Sequence, residues 1–229
     1  MEGGRKLSLV PALDCDLEKA IEIISKVDRL EGVYGYKVGF VLGLTHGLPL
    51  VVERIRKVSK KPVIYDHQKA ATDIPDTGEA FARTLKKAGV DEAILFPQAG
   101  PETLAAWTKA LQKEALKVIV GGVMTHAKYL ASEGGFLVDD RIMDAYRQAA
   151  QLGVKAFVVP MTKPQVARAV AERLGPGDWE FYSPGLGAQG GDLSAFQFLK
   201  RHLAIVGRAL IKADDPVQYL ESVLKGATT

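Results

Sequence analysis

Two lysines and two aspartates, Lys37, Asp66, Lys69 and Asp73, are the residues whose types and spacing suggest chemistry in this chain. Lys37 falls inside the apolar stretch Val33-Tyr-Gly-Tyr-Lys-Val-Gly-Phe, and a buried ammonium must be paired. The other three lie in Tyr65-Asp-His-Gln-Lys-Ala-Ala-Thr-Asp-Ile-Pro-Asp-Thr, behind a short apolar run. Two cations and two anions can hold one another ionised in a water-poor site, each offsetting the others' desolvation. An ammonium placed between carboxylates can stabilise a developing carbanion and then protonate it, with no cofactor. The competing reading is a surface salt-bridge stripe, because positions 66, 69 and 73 share one face of a helix. Pro75 disfavours a helix running through Ile74.

A second set suits an anion. Ser183-Pro-Gly-Leu-Gly-Ala-Gln-Gly-Gly-Asp is Gly-rich, so its backbone N–H groups can approach a phosphate closely. Gln189 can donate from its amide, Gly207 leaves its N–H accessible, and Arg208 carries a planar fork of donors matched to phosphate. The competing reading makes the Gly run a turn and Arg208 half of a surface ion pair. His67 and His126 are read as loop residues, and His46 and His202 as flanking predicted helices; no histidine has metal-ligand spacing. The single cysteine, Cys15, excludes an internal disulfide and a Cys-based zinc site.

The elements that must position these residues alternate. Strands are predicted over Leu7–Leu13, Val33–Phe40, Pro62–Tyr65, Glu92–Pro97, Lys117–Val123, Ala156–Pro160, Glu180–Ser183 and Ala204–Gly207. Helices are predicted over Leu17–Leu30, Leu48–Val58, Thr77–Ala88, Glu102–Ala115, Asp140–Leu152, Pro164–Leu174, Leu193–His202 and Pro216–Leu224. The strand runs are continuously apolar, as parallel strands covered by helices should be. Eight such units imply an α/β fold, a single (β/α)₈ barrel over 1–229. A doubly wound open sheet is the alternative. Against it, the first strand runs into Asp14-Cys-Asp rather than a Gly-rich phosphate turn. In a barrel, chemistry gathers at the C-terminal strand ends. There the sequence places Asp14, Lys37, Asp66 with Lys69 and Asp73, Thr125 with His126, the Ser183–Asp192 run with Pro184 and Gln189, and Gly207 with Arg208.

Composition bounds the partners. Of 229 residues, 47% are hydrophobic and 25% charged, the ordinary globular balance. Thirty basic against 27 acidic residues give a net charge of +3, too even to argue for nucleic acid. The cluster from Arg54 to Lys61 reads as a solvated helix end. No apolar run approaches the roughly 20 residues a membrane span needs. The N-terminus has no apolar signal region, so a cytoplasmic location is expected.

Asp73-Ile-Pro-Asp-Thr, Ser183-Pro-Gly-Leu-Gly-Ala-Gln-Gly-Gly and Ile205-Val-Gly-Arg together resemble the orotidine 5′-monophosphate decarboxylase family, and the likeness runs from Ala12-Leu-Asp to Gly207-Arg. The resemblance implies a cofactor-free, metal-free (β/α)₈ homodimer. It would convert orotidine 5′-monophosphate (OMP) to uridylate (UMP) at the end of pyrimidine nucleotide synthesis. Asp14 and Lys37 would contact the ribose, with Lys37 also in the charge network. Asp66 would face the departing carboxylate, and Lys69 would protonate C6. Asp73, Ile74 and Thr77 would reach across the dimer into the partner's site. Thr125 would read the pyrimidine edge, Pro184 touch the base, and Gln189, Gly207 and Arg208 hold the phosphate. One departure stands out. The family pattern is Asp-x-Lys-x-x-Asp, whereas this chain has Asp66-x-x-Lys69-x-x-x-Asp73, one residue longer in each gap. Residues i and i+3 of a strand face opposite ways, so a bulge or loop is needed to bring Asp66 and Lys69 to one side. Two alternatives differ in class: a Mg²⁺-dependent sugar-phosphate decarboxylase or synthase of the same suprafamily, and a non-catalytic nucleotide-binding relative.

Overall fold

The computed structural model describes residues 6–187 and 190–226, with backbone alone for Gln68 and Lys69. Eight strands run β1 (Lys6–Pro11), β2 (Tyr36–Val38), β3 (Val63–Ala70), β4 (Glu92–Leu95), β5 (Lys117–Gly121), β6 (Ala156–Val158), β7 (Glu180–Pro184) and β8 (Arg201–Val206). They form one parallel sheet in the order β1-β8-β7-β6-β5-β4-β3-β2. The bridges Leu9↔Val33 and Ala12↔Lys37 join β1 to the β2 segment and close the ring into a barrel.

The helices are α1 (Leu17–Val27), α2 (Phe40–His46), α3 (Leu48–Arg56), α4 (Gly78–Ala88), α5 (Pro101–Lys113), α6 (Asp139–Gln151), α7 (Pro164–Leu174), α8 (Arg208–Ile211) and α9 (Pro216–Gly226). In α1, the Asp16 carboxylate accepts from the Lys19 N–H at 2.9 Å, which satisfies an otherwise unpaired first-turn donor. Ala20, Ile23, Ile24 and Val27 of α1 are buried, the i, i+3, i+4, i+7 stripe of a helix with one apolar face. The cap leaves Asp14 just outside the helix, at the mouth of the barrel.

Successive strand residues point to opposite faces, and both faces are buried. Val10, Ile64, Ile94, Ile119, Val158 and Ile205 belong to the cluster that fills the barrel. Their strand neighbours Leu9, Val63, Leu95, Val120, Phe157 and Val206 join the larger cluster beneath the helices. This two-sided burial is why the strands read as unbroken apolar runs.

The N-terminal end of the barrel is plugged by a polar network. The Lys117 ammonium lies 2.5 Å from Glu180 and 3.5 Å from Glu92, and donates to the Tyr34 and Tyr182 hydroxyls, each at 3.0 Å. Tyr182 donates to Glu92 at 3.0 Å, and Tyr34 also donates to Glu92. Burial opposes the lysine's charge, but Glu92 and Glu180 outweigh it and hold its pKa above the usual lysine range. A raised folded pKa means that the stabilisation is complete at neutral pH and is lost only as pH climbs past that of free lysine. Lys117→Met is therefore expected to lower unfolding free energy by about 2 kcal/mol, toward the low side for a broken buried pair because the lysine is partly exposed. Urea denaturation at neutral pH checks this; an unchanged midpoint would refute it.

Four segments differ from expectation. The predicted strand Val33–Phe40 is regular only over Tyr36–Val38, because Gly39 opens α2. The predicted helix Leu193–His202 is a 3₁₀ turn over Leu193–Phe196, followed directly by β8, which contains His202. The apolar spacing there reflects a turn packed on the strand: Phe196 stacks on His202 with ring centroids 5.4 Å apart. Arg208 opens the short helix α8, which was not expected. Finally, β3 runs on through the polar residues to Ala70. A strand through 63–70 removes the helical-stripe reading of positions 66, 69 and 73.

The β3 extension is irregular. Tyr65 pairs with Ala93 and Ala70 with Leu95, so five steps along β3 match two along β4. Ala71 then leaves the strand at φ +70°, a conformation uncommon outside glycine. This irregularity falls within the lengthened Asp66–Lys69 spacing.

Candidate active site

Asp14, Lys37 and Asp66 meet near the ends of three strands. Lys37 lies on β2, Asp66 on β3, and Asp14 follows β1. The Lys37 ammonium is 3.2 Å from Asp66 Oδ2 and 3.7 Å from Asp14 Oδ2. Lys37 and Asp66 are each only 5% exposed. Two buried opposite charges in hydrogen-bond contact offset part of each other's desolvation. They form part of the wall of a cavity of about 530 Å³ at the C-terminal mouth of the barrel.

Seven of the twelve residues expected at the site line this cavity: Asp14, Lys37, Asp66, Thr125, Pro184, Gly207 and Arg208. Gln189 lies outside the described residues. Lys69 is placed by its backbone, on the bulged part of β3. Asp73, Ile74 and Thr77 are not in the lining. They lie on a segment turned toward α5, where Thr103 Oγ1 donates to the Asp73 carbonyl at 2.9 Å and Trp107 Nε1 donates to the Ile74 carbonyl at 3.0 Å. Thr77 Oγ1 also donates to the Ile74 carbonyl, and Ile74 itself is 58% exposed.

Thr125 and His126 come from the long segment after β5. Its frame is fixed by Tyr129, whose hydroxyl donates to the Gly122 carbonyl at 2.9 Å, and by Glu133, which accepts from the Tyr129 N–H and pairs with buried Lys163 at 2.6 Å. Thr162 Oγ1 donates to the Thr125 carbonyl at 2.8 Å. His126, read from sequence as a loop residue, sits on the cavity wall with its ring edge-on to Tyr129.

The opposite wall suits an anion. Gly185 adopts φ +110°, and the Gly191 N–H returns to the Gly185 carbonyl at 3.0 Å. A side chain at Gly191 would come within 2.6 Å of that carbonyl, so the turn tolerates only glycine there. Among the described residues, Arg208 meets no carboxylate. Its fork stays available for an external oxyanion.

The apolar walls were not anticipated: Ile94, Phe96, Val123, Val158 and Ile205 from the strands, and Phe40 and Val41 from α2. In the sequence the strand residues are indistinguishable from barrel core, being the last rungs of the same runs. Cys15, half-buried behind Asp14, has its thiol pushed up to about 11 by burial and by Asp16 and Asp14. It therefore stays protonated and unreactive at neutral pH. Among the described residues, no three His, Cys, Asp or Glu side chains gather as metal ligands, and no helix is long and apolar enough to cross a membrane.

Residues 8–223 match the family described as Orotidine 5′-phosphate decarboxylase / HUMPS family. The orotidine 5′-phosphate decarboxylase of Methanosarcina mazei is 31% identical over 93% of this chain and 91% of its own length. That of Methanococcus maripaludis is 32% identical over 94% and 95%. The orotidine 5′-monophosphate decarboxylase of Methanocaldococcus jannaschii, in a crystal structure complexed with inhibitor BMP, superposes with a TM-score of 0.84 at 29% identity, covering 98% of this chain and all of that one.

Proposed function

Because this chain belongs to the orotidine 5′-phosphate decarboxylase / HUMPS family, we propose that it is a carboxy-lyase converting OMP to UMP and CO₂ without a cofactor, as the last step of pyrimidine nucleotide synthesis. One observation carries the proposal. A buried Lys37–Asp66 pair with Asp14 beside it, and a Gly-rich wall with Arg208, which meets no carboxylate among the described residues, face the same cavity. A nucleotide needs both, one for its reacting ring and ribose and one for its phosphate.

In this mechanism Arg208, Gly207 and the 185–191 turn hold the phosphate. Asp14 and Lys37 hold the ribose, and Thr125 and Pro184 the pyrimidine. Asp66 faces the substrate carboxylate. The C6–carboxylate bond breaks, CO₂ leaves, and the electron pair stays on C6 beside the ammonium of Lys69. That ammonium then gives C6 its proton. Preorganised positive charge stabilises the carbanion without solvent reorganisation. Lys37 occupies the position between Asp14 and Asp66 that a divalent cation would need, which favours OMP over a Mg²⁺-dependent sugar phosphate.

We also propose a homodimer in which Asp73, Ile74 and Thr77 complete the partner's site. Their place outside their own chain's cavity and the exposure of Ile74, Phe40 and Leu44 support this. Sedimentation of the active protein is expected to give a dimer; an active monomer would refute it. A cytoplasmic location accords with this metabolic role.

The decisive test mixes chelator-treated protein with OMP and follows UMP by absorbance and chromatography. Rapid conversion is expected. Lack of conversion with UMP still raising the melting temperature would indicate a binding protein. Turnover of a sugar phosphate only with Mg²⁺ would indicate the other branch. Arg208→Ala is expected to weaken UMP binding by about 1.5–3 kcal/mol, the loss of a charged hydrogen bond, and to leave uridine binding unchanged. Equal losses for both ligands, measured by calorimetry, would remove Arg208 from the phosphate site.

A further inference from the structure

Both residues added to the Asp66–Asp73 segment fall between anchors belonging to one aromatic row. The row starts at Tyr65, whose hydroxyl meets His67 Nδ1 at 2.6 Å. Burial first, and then the Asp66 charge, raise the Tyr65 pKa, so the phenol keeps its proton and can donate it to the imidazole. The His67 ring stands edge-on to Phe81 of α4, centroids 6.2 Å apart at 71°. Phe81 lies against Trp107 of α5 at 4.9 Å and 35°. Trp107 ends the row by donating to the Ile74 carbonyl at 3.0 Å, while Thr103, one turn earlier on α5, holds the Asp73 carbonyl. Trp107 also packs so tightly on the start of α4 that a side chain at Gly78 would come within 2.7 Å of its ring.

This row grips the segment on both sides of Lys69. His67 precedes the lysine and the Asp73–Ile74 carbonyls follow it. Between the Tyr65 and Ala70 pairs, β3 shifts register against β4, so regular strand pairing does not dictate where residues 66–69 point. Beyond them, Ala71 is in the left-handed region, which needs surrounding structure to hold it. His67 is exposed, yet its ring is engaged on two sides rather than free in solvent.

We propose that His67, Phe81 and Trp107 form an aromatic clamp that positions the lengthened Asp66–Asp73 segment for catalysis, with His67 as a positioning residue for Lys69. The proposal rests on the decarboxylase reading. Its chemistry is geometric: a misplacement of about 1 Å at a reacting group can cost a hundredfold in rate, and the clamp limits that displacement. Phosphate grip is separate, since the Gly-rich segment follows β7 and Arg208 opens α8 after β8.

The experiment is steady-state kinetics on His67→Ala and His67→Asn beside wild type. Asparagine is the conservative variant, because its Oδ1 can accept from Tyr65 about where Nδ1 does. For His67→Ala, kcat is expected to fall by about 10- to 100-fold, with KM for OMP and Kd for UMP within about threefold of wild type. His67→Asn should recover most of kcat. A kcat for His67→Ala within twofold of wild type, or no recovery with asparagine, would overturn the clamp. Hydrogen exchange of the 70–77 amides, compared between wild type and His67→Ala, keeps the test independent of turnover. If the wild type does not decarboxylate OMP, the functional proposal fails. Exchange at least tenfold faster in His67→Ala would then still support the clamp, and unchanged exchange would overturn it.

Discussion

Replacing Lys69 with alanine is expected to lower kcat for OMP decarboxylation by about 10³-fold or more, within the range spanned by a positioned general acid. UMP affinity should change only a few-fold. Losing CO₂ from C6 leaves an electron pair on a carbon that cannot delocalise it well, so the barrier depends on positive charge nearby and on the proton that follows. An alanine supplies neither. UMP has already received its proton, and its phosphate is held by Arg208 and the Gly-rich turn on the far wall. Lys69→Arg sharpens the test. It keeps the charge, but guanidinium does not release a proton in proteins, so it should restore little of the rate. A near-normal kcat for Lys69→Ala would remove Lys69 as the acid and turn attention to His126, which lies on the cavity wall.

Lys37→Met is expected to lower unfolding free energy by about 3 kcal/mol, the size seen when one partner of a buried ion pair is deleted. It should also lower turnover by about 100-fold, as loss of a preorganised charge does. Methionine fills the volume of the lysine stem, so packing changes little. What changes is that Asp66, 5% exposed, and Asp14 lose the Lys37 ammonium that lies within 3.7 Å of both. Replacing both partners of a buried polar contact is far milder than replacing one. Lys37→Met/Asp66→Leu should therefore recover most of the stability and none of the activity. Urea denaturation beside kinetics tests this. A double variant no more stable than the single would show that the pair does not carry the energy assigned to it.

The strand–helix rhythm was legible because two-sided burial makes each strand an apolar run, and seven residues of the cavity lining were legible because barrels place polar groups where those runs end. Strand β3 shows the limit. Its last rungs, Asp66 to Lys69, are polar, and Asp66 lines the cavity, so the strand seemed to stop at Tyr65. The resemblance, set against the longer spacing, implied a bulge or loop here; the place of the register shift between Tyr65 and Ala70 was not legible, since it depends on pairing with β4. His202 was misplaced for a related reason. Leu193, Phe196 and Leu199 mimic a helical stripe, but they are a turn lying on β8. His126 and Phe96 gave no local signal, because their role comes from which strands the closed ring brings face to face.

That ring is joined unevenly. Seven of its seams are ladders of paired residues, whereas the eighth, between β1 and the β2 segment, is held by the bridges at Leu9 and Ala12 and by the Leu13 N–H on the Lys37 carbonyl at 2.9 Å. Asp14 and Lys37 stand on either side of that seam, at its upper end. Closing the barrel and bringing the aspartate to the lysine are thus one event, and a parting of the two edges would dismantle the site first. A nucleotide held by both residues would act as a clasp, fastening the barrel at its slackest join.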